Sequence, residues 1–134
     1  MRICLDTNVL ISAFTARGLS ADVMRLVLIE HELVLPAVVL AEFQRIVTTK
    51  FKLSDTDRAA ALDFFADTPT IPKPRRVLPT PTIRDAADAW VLASAVAGQA
   101  DVLITGDKDL LAVATEGPIP ILTPRKFYER RHGM

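Results

Sequence analysis

Several residue types that announce a common chemistry are scarce in this sequence. One cysteine among 134 residues cannot form an internal disulfide, and Cys4, set in an apolar run, reads as a small core residue suited to a reducing compartment. Aromatic residues make up 6%, which leaves little for the stacking surfaces of single-strand binding modules. There are two histidines. His31 ends a helix-like stretch between Glu30 and Glu32, where positive charge suits the helix dipole, and His132 lies in the tail, so neither is placed for acid–base work. The five glycines form no phosphate-cradling loop. No apolar run approaches the roughly twenty residues needed to cross a bilayer, and Asp6 interrupts the N-terminal apolar stretch before a signal-peptide core forms. The expectation is a soluble, cytoplasmic chain. Basic and acidic residues balance at 16 each, for a net charge of zero. A protein that grips nucleic acid mainly by charge carries a basic excess, so a nucleic-acid role has to account for this balance.

What is present describes one folded globule over residues 1–134, half hydrophobic and 24% charged. Ile3-Cys4-Leu5, Leu33-Val34-Leu35 and Val102-Leu103-Ile104 are short unbroken apolar runs, the pattern of strands buried on both faces. Shorter strands are expected at Thr70-Ile71-Pro72 and Pro120-Ile121-Leu122. Between them the spacing predicts helices over Val9–Phe14, from a Ser20 cap to about His31, over Ala37–Thr48, from a Ser54 cap through Phe65, over Ala86–Ala97 behind an Asp85 cap and ended by Gly98, from Asp107 through Ala114, and from Pro124 onward. Leu19 is expected to staple the second helix by packing on Met24. A proline-rich stretch from Pro69 to Pro81 reads as extended chain. Strands alternating with helices predict an α/β fold, a parallel sheet covered on both faces.

Four acids stand out against that frame. In open parallel sheets, ligands bind beyond the carboxyl ends of the strands, where strand order reverses. Asp6 directly follows the first strand and Asp107 follows Val102-Leu103-Ile104, so adjacent strands would bring the two carboxylates to one edge. Glu42 stands three residues after Val39 and four before Ile46, and Asp88 stands three and four before Val91 and Leu92. That spacing turns both toward apolar helix faces, where an unpaired charge is costly. Few basic residues occupy matching positions, which makes a bound cation the natural partner. Capping is the plainer alternative for Asp6, Asp85 and Asp107, at about 1 kcal/mol each, and Asp88 could join Asp85 in a carboxylate variant of the capping box. Glu42 lies mid-helix, beyond any capping role. Carboxylates around a hard cation are suited to phosphodiester hydrolysis, since such an ion activates water and stabilises charge on the phosphate.

The runs Leu5-Asp6-Thr7-Asn8-Val9-Leu10 and Thr105-Gly106-Asp107-Lys108-Asp109-Leu110-Leu111, with Glu42 on its helix and Asp85 to Asp88 between, resemble the PIN domain. The closing Ile121-Leu122-Thr123-Pro124-Arg125-Lys126-Phe127 is similar to the VapC-like branch, the toxin components of toxin–antitoxin pairs. The resemblance covers essentially the whole chain. It implies a three-layer α/β/α fold with a parallel sheet of about five strands and a Mg²⁺- or Mn²⁺-dependent endoribonuclease. It further implies that Asp6, Glu42, Asp88 and Asp107 ligate one or two ions, that Asn8, Thr105 and Asp109 support them, and that a homodimer and a cognate antitoxin are partners. Ala87 stands where family members often carry a further acid, which leaves one ion as the firmer expectation.

Lys73, Arg75, Arg76 and Arg84 are candidates for positioning RNA phosphates, as are the groups Arg45/Lys50/Lys52 and Arg125/Lys126/Arg130/Arg131; solvated surface is the alternative for all of them. Trp90 reads as a core or dimer contact in preference to base stacking. Two other functions remain open, a catalytically idle scaffold of the same fold that binds RNA or protein, and a phosphatase with Asp6 as nucleophile. Against the second, haloacid-type phosphatases place another Asp two residues on, where this chain has Asn8.

Overall fold

The computed structural model of the chain describes residues 1–50, 53–77, 83, 85–114 and 117–131, with the backbone alone at 131. Among the described residues, five strands, β1 (Arg2–Leu5), β2 (Glu32–Pro36), β3 (Thr70–Ile71), β4 (Val102–Ile104) and β5 (Ile121–Leu122), are interspersed with seven helices. The helices are α1 (Thr7–Thr15), α2 (Leu19–Glu30), α3 (Ala37–Thr49), α4 (Asp55–Phe64), α5 (Ala86–Ala97), α6 (Lys108–Ala112) and α7 (Pro124–Arg131). The sheet order is β3-β2-β1-β4-β5, and every pairing is parallel.

Successive side chains of a strand point to opposite faces. Ile3, Cys4 and Leu5 are all buried, as are Val102, Leu103 and Ile104, so both faces of the sheet centre are covered. This is the three-layer α/β/α architecture expected from the unbroken apolar runs. The chain winds outward from β1 through β2 to β3, then returns across the sheet to β4 on the other side of β1. The order therefore reverses between β1 and β4, and all the strands end at one edge. No helix among the described residues is long and apolar enough to cross a membrane.

Two local expectations are corrected. The cap of α2 is Gly18, with φ +139° and ψ −154°, rather than Ser20. That backbone conformation is open to glycine alone, so the chain turns into the helix two residues early. Leu19 becomes the first helical residue and loses the position a staple requires. Gly98 ends α5 as expected, at φ −81°, outside the left-handed region. Its smallness serves packing. A Cβ there would lie 2.8 Å from Ile71 Cγ1 and 2.8 Å from Val34 Cγ1. The left-handed turn falls one residue later, at Gln99, with φ 59°. Helix α6 also stops at Ala112, two residues short of expectation.

Candidate metal centre

The two strands that flank the switch point deliver the first acids. Hydrogen bonding from Asp6 N to Ile104 O, 2.9 Å, extends the β1–β4 pairing by one residue beyond β1, which brings Asp6 beside Thr105. Asp6 is buried, 5% exposed. Its Oδ1 accepts from Thr7 N at 2.8 Å and its Oδ2 accepts from Thr105 Oγ1 at 2.7 Å. It does cap α1, but only through the first amide of the helix, and its second oxygen is committed to a residue 99 positions away. The Thr105 hydroxyl has a further role, accepting from Asp107 N at 2.9 Å. One buried threonine thus ties the ends of β1 and β4 together and sets both aspartates.

Asp107 is a full helix cap. Its Oδ1 accepts from Asp109 N at 2.8 Å and Leu110 N at 3.2 Å, satisfying amides that α6 leaves open. The bland reading is therefore correct for that oxygen. The same turn brings Asp109 round, and one carboxylate oxygen from each of Asp88, Asp107 and Asp109 lies within 4.8 Å of the other two. Asp88 arrives from the first turn of α5, whose N-terminus is capped by Asp85 Oδ1 accepting from Ala87 N at 2.8 Å. Asp88 is 9% exposed, and its Oδ2 is buried with no hydrogen-bond partner among the described residues.

Among the described residues no ion pair reaches this corner; Arg2–Glu32, Arg25–Asp22 and Arg58–Asp55 involve none of its acids. Burial, then the charges of Asp107, Asp6 and Asp85, and a hydrogen bond to the Asp107 carboxyl push the Asp88 carboxyl up to about 7. Asp6 is also raised, chiefly by burial, with Asp107 and Glu42 adding to the rise against the opposing hydrogen bonds from Thr105 and Thr7. Carboxylates this crowded either hold protons or hold a cation. An oxygen-donor set with an unpartnered buried oxygen suits a hard divalent ion, so the residues present fit such a group.

The expected residues are gathered unequally. Asp88 and Asp107 meet, and Asp109, expected only in support, is as close as they are. Asp6 adjoins them through Thr105 and through its charge on Asp88. Glu42 sits farther back, half-buried on α3, and is near enough to Asp6 to raise its pKa. Its Oε2 accepts from Thr7 Oγ1 at 3.3 Å. Thr7 is the residue the sequence reading missed. It is 2% exposed, a polar residue directly after the first acid, and a buried hydroxyl there needs an acceptor. Asn8 is exposed. Lys73, Arg75 and Arg76 are exposed beyond β3, Arg45, Lys50, Arg125 and Lys126 also lie outside the core, and Arg84, Lys52 and His132 fall outside the described residues.

A family model described as the PIN domain matches residues 2–109. A search of curated protein sequences gives no match. Among solved structures, the chain is similar to VapBC2 from Rickettsia felis bound to a DNA fragment from their promoter, at 18% identity and a TM-score of 0.62 over 91% of this chain and 97% of that one. It is also similar to VapBC-5 of Mycobacterium tuberculosis, a member of the VapBC family of toxin-antitoxin systems, at 25% identity and a TM-score of 0.58 over 91% of this chain and 98% of that one. The family match takes in Asp6, Glu42, Asp88 and Asp107 as well as strands β1 to β4, and the chain belongs to the PIN domain family.

Proposed function

We propose that this protein is a Mg²⁺- or Mn²⁺-dependent endoribonuclease that hydrolyses RNA phosphodiester bonds, the toxin of a toxin–antitoxin pair. The observation that carries the reading is the buried, unpartnered Oδ2 of Asp88 beside Asp107 and Asp109. Asp88, Asp107 and Asp109 would hold the ion, with Asp6 next to them and Glu42 behind. The chemistry such an ion supplies when bound is activation of water and neutralisation of charge on the phosphate. Thr105 keeps Asp6 and Asp107 in register, and Thr7 steadies Glu42. Water or phosphate reaches the cluster beyond the strand ends, where half-exposed Asp107 and Asp109 form its open side.

The likeness to VapBC-5 at 25% identity supports an antitoxin partner, and self-association into a homodimer in the cytoplasm belongs to the same reading. A phosphatase reading fares worse. A haloacid-type phosphatase would place a second Asp two residues after the nucleophile, where this chain has the exposed Asn8.

Asp6→Asn and Asp88→Asn should each abolish Mn²⁺-dependent cleavage of single-stranded or structured RNA while circular dichroism stays unchanged. Purified variants that cleave as fast as the parent, with chelator controls blank, would sink the proposal. A fluoroberyllate adduct trapped at Asp6 would favour the phosphatase.

A further inference from the structure

The Lys73 ammonium lies over the Trp90 ring, 4.2 Å from its centroid. Trp90 is half-buried on α5, two residues beyond Asp88, while Lys73, Arg75 and Arg76 are exposed. The topology fixes where this pair sits. All strands run parallel, so the segment that leaves β3 at Ile71 emerges at the edge from which Asp6 and Asp107 emerge. Two strand spacings, about 10 Å, separate β3 from β1 along that edge. Helix α5 packs against β2 and β3 and begins at the same edge with Asp85 and Asp88. The Lys73–Trp90 pair, followed in sequence by exposed Arg75 and Arg76, therefore lies toward the β3 end of the carboxyl edge, with Trp90 turned to another side of α5 from Asp88.

From this we infer that Trp90 and Lys73 form a nucleotide subsite for single-stranded RNA, with one base stacked on the indole and Lys73, Arg75 and Arg76 on the phosphates to either side. Three points of chemistry support it. The ring face is covered by the end of a long, exposed side chain that can swing away. A base on an indole gains more than an exposed ammonium does, so exchange favours the base, and the displaced ammonium is left within reach of that nucleotide's phosphate. Cations are also needed here, because phosphates leading into a pocket of carboxylates are repelled unless positive charge lies beside the path. The subsite reads no base identity, since every base offers a stacking face. It rests on the ribonuclease reading for its substrate, and it can be tested without cleavage.

Trp90 is the one tryptophan of the chain, so its fluorescence reports on this subsite alone. Titration of the chain with a single-stranded oligoribonucleotide in EDTA should quench and saturate, and inorganic phosphate or an RNA duplex of equal charge should not reproduce the amplitude. Lys73→Gln/Arg75→Gln/Arg76→Gln should weaken binding of a labelled oligonucleotide about tenfold and flatten its salt dependence. Trp90→Leu should weaken it several-fold and Trp90→Phe less, with unchanged melting curves showing that each variant folds. In cleavage assays Lys73→Gln should raise KM and leave kcat unaltered. Binding of the labelled RNA with no change in tryptophan emission would overturn the subsite, as would equal quenching by duplex, or quenching by a protein partner but not by RNA. These outcomes separate from the parent reading. RNA cleaved by a chain whose tryptophan stays silent removes the subsite alone, and quenching without any Mn²⁺-dependent cleavage removes the nuclease alone.

Discussion

Asp88 is an acid whose surroundings work against its charge. With its carboxyl pushed up to about 7 from an ordinary 3.8, the folded chain keeps a proton that the unfolded chain releases across that interval. The native state binds the extra proton, so stability falls as pH rises from about 4 to about 7, and buried Asp6 adds a contribution of the same sign. The expected result is that urea stability in EDTA declines over that window and that Asp88→Asn flattens the decline. At pH 7 the variant should be the more stable chain, by at most about 4 kcal/mol at about 1.4 kcal/mol per tenfold change in proton affinity. Parallel pH curves for variant and parent would show that Asp88 carries no such burden. Local spacing made this residue legible in the sequence, because three- and four-residue offsets from Val91 and Leu92 set its helical phase. The same logic pointed Glu42 inward but could not reveal Thr7 as its partner, since that hydrogen bond joins residues 35 positions apart. Asp109, expected only in support, joins the cluster for another reason. Capping by Asp107 folds the turn back on itself, and that return brings the next acid into the cluster.

Elements were readable in proportion to how fully they are buried. Strands β1, β2 and β4 carry unbroken apolar runs because helices cover both their faces, and each was placed within one or two residues. Strands β3 and β5 have two residues apiece, too few for a period to show, and it is the flanking prolines and short apolar runs that mark them, each one residue longer in the sequence reading. Helix α2 was entered wrongly at Ser20 because a serine side chain looks like a cap from any position, whereas the glycine two residues earlier has no side chain with which to advertise its torsion. Gly98 carries a consequence that can be measured. Its Cα faces Val34 and Ile71 so closely that a methyl group cannot be added without displacing them, and Val34 is itself buried. Gly98→Ala should lower stability by about 1–3 kcal/mol, the range for overpacking. Trimming Ile71 to alanine in the same chain should recover part of that loss in a double-mutant cycle. Purely additive effects would mean that the two residues do not meet.

For the molecule as a whole, a net charge of zero is compatible with local separation. Asp6, Asp88, Asp107 and Asp109 share the middle of the carboxyl edge, while Lys73, Arg75 and Arg76 follow β3, so the balanced total leaves room for both a cation site and a path for phosphates. If the acidic corner holds a divalent ion, the folded state alone should bind it, because the unfolded chain scatters residues 6, 88, 107 and 109. At a free Mn²⁺ concentration of about 100 times Kd, linkage adds about 2.7 kcal/mol to folding, a rise in Tm of roughly 10 °C for a chain of this size. The rise should vanish in EDTA and in Asp88→Asn. An equal rise in the variant would place the ion elsewhere.

The hydrogen bond from Thr105 to Asp6 spans 99 positions, and it gives the protein a schedule. While the chain is being made, the first acid emerges long before its companions, and nothing in the first hundred residues can complete the corner. β4 must pair with β1 for Asp107 and Asp109 to take their places beside Asp6. Closing so long a loop comes late in folding. The acidic corner is thus completed only once residues far apart in the chain have met.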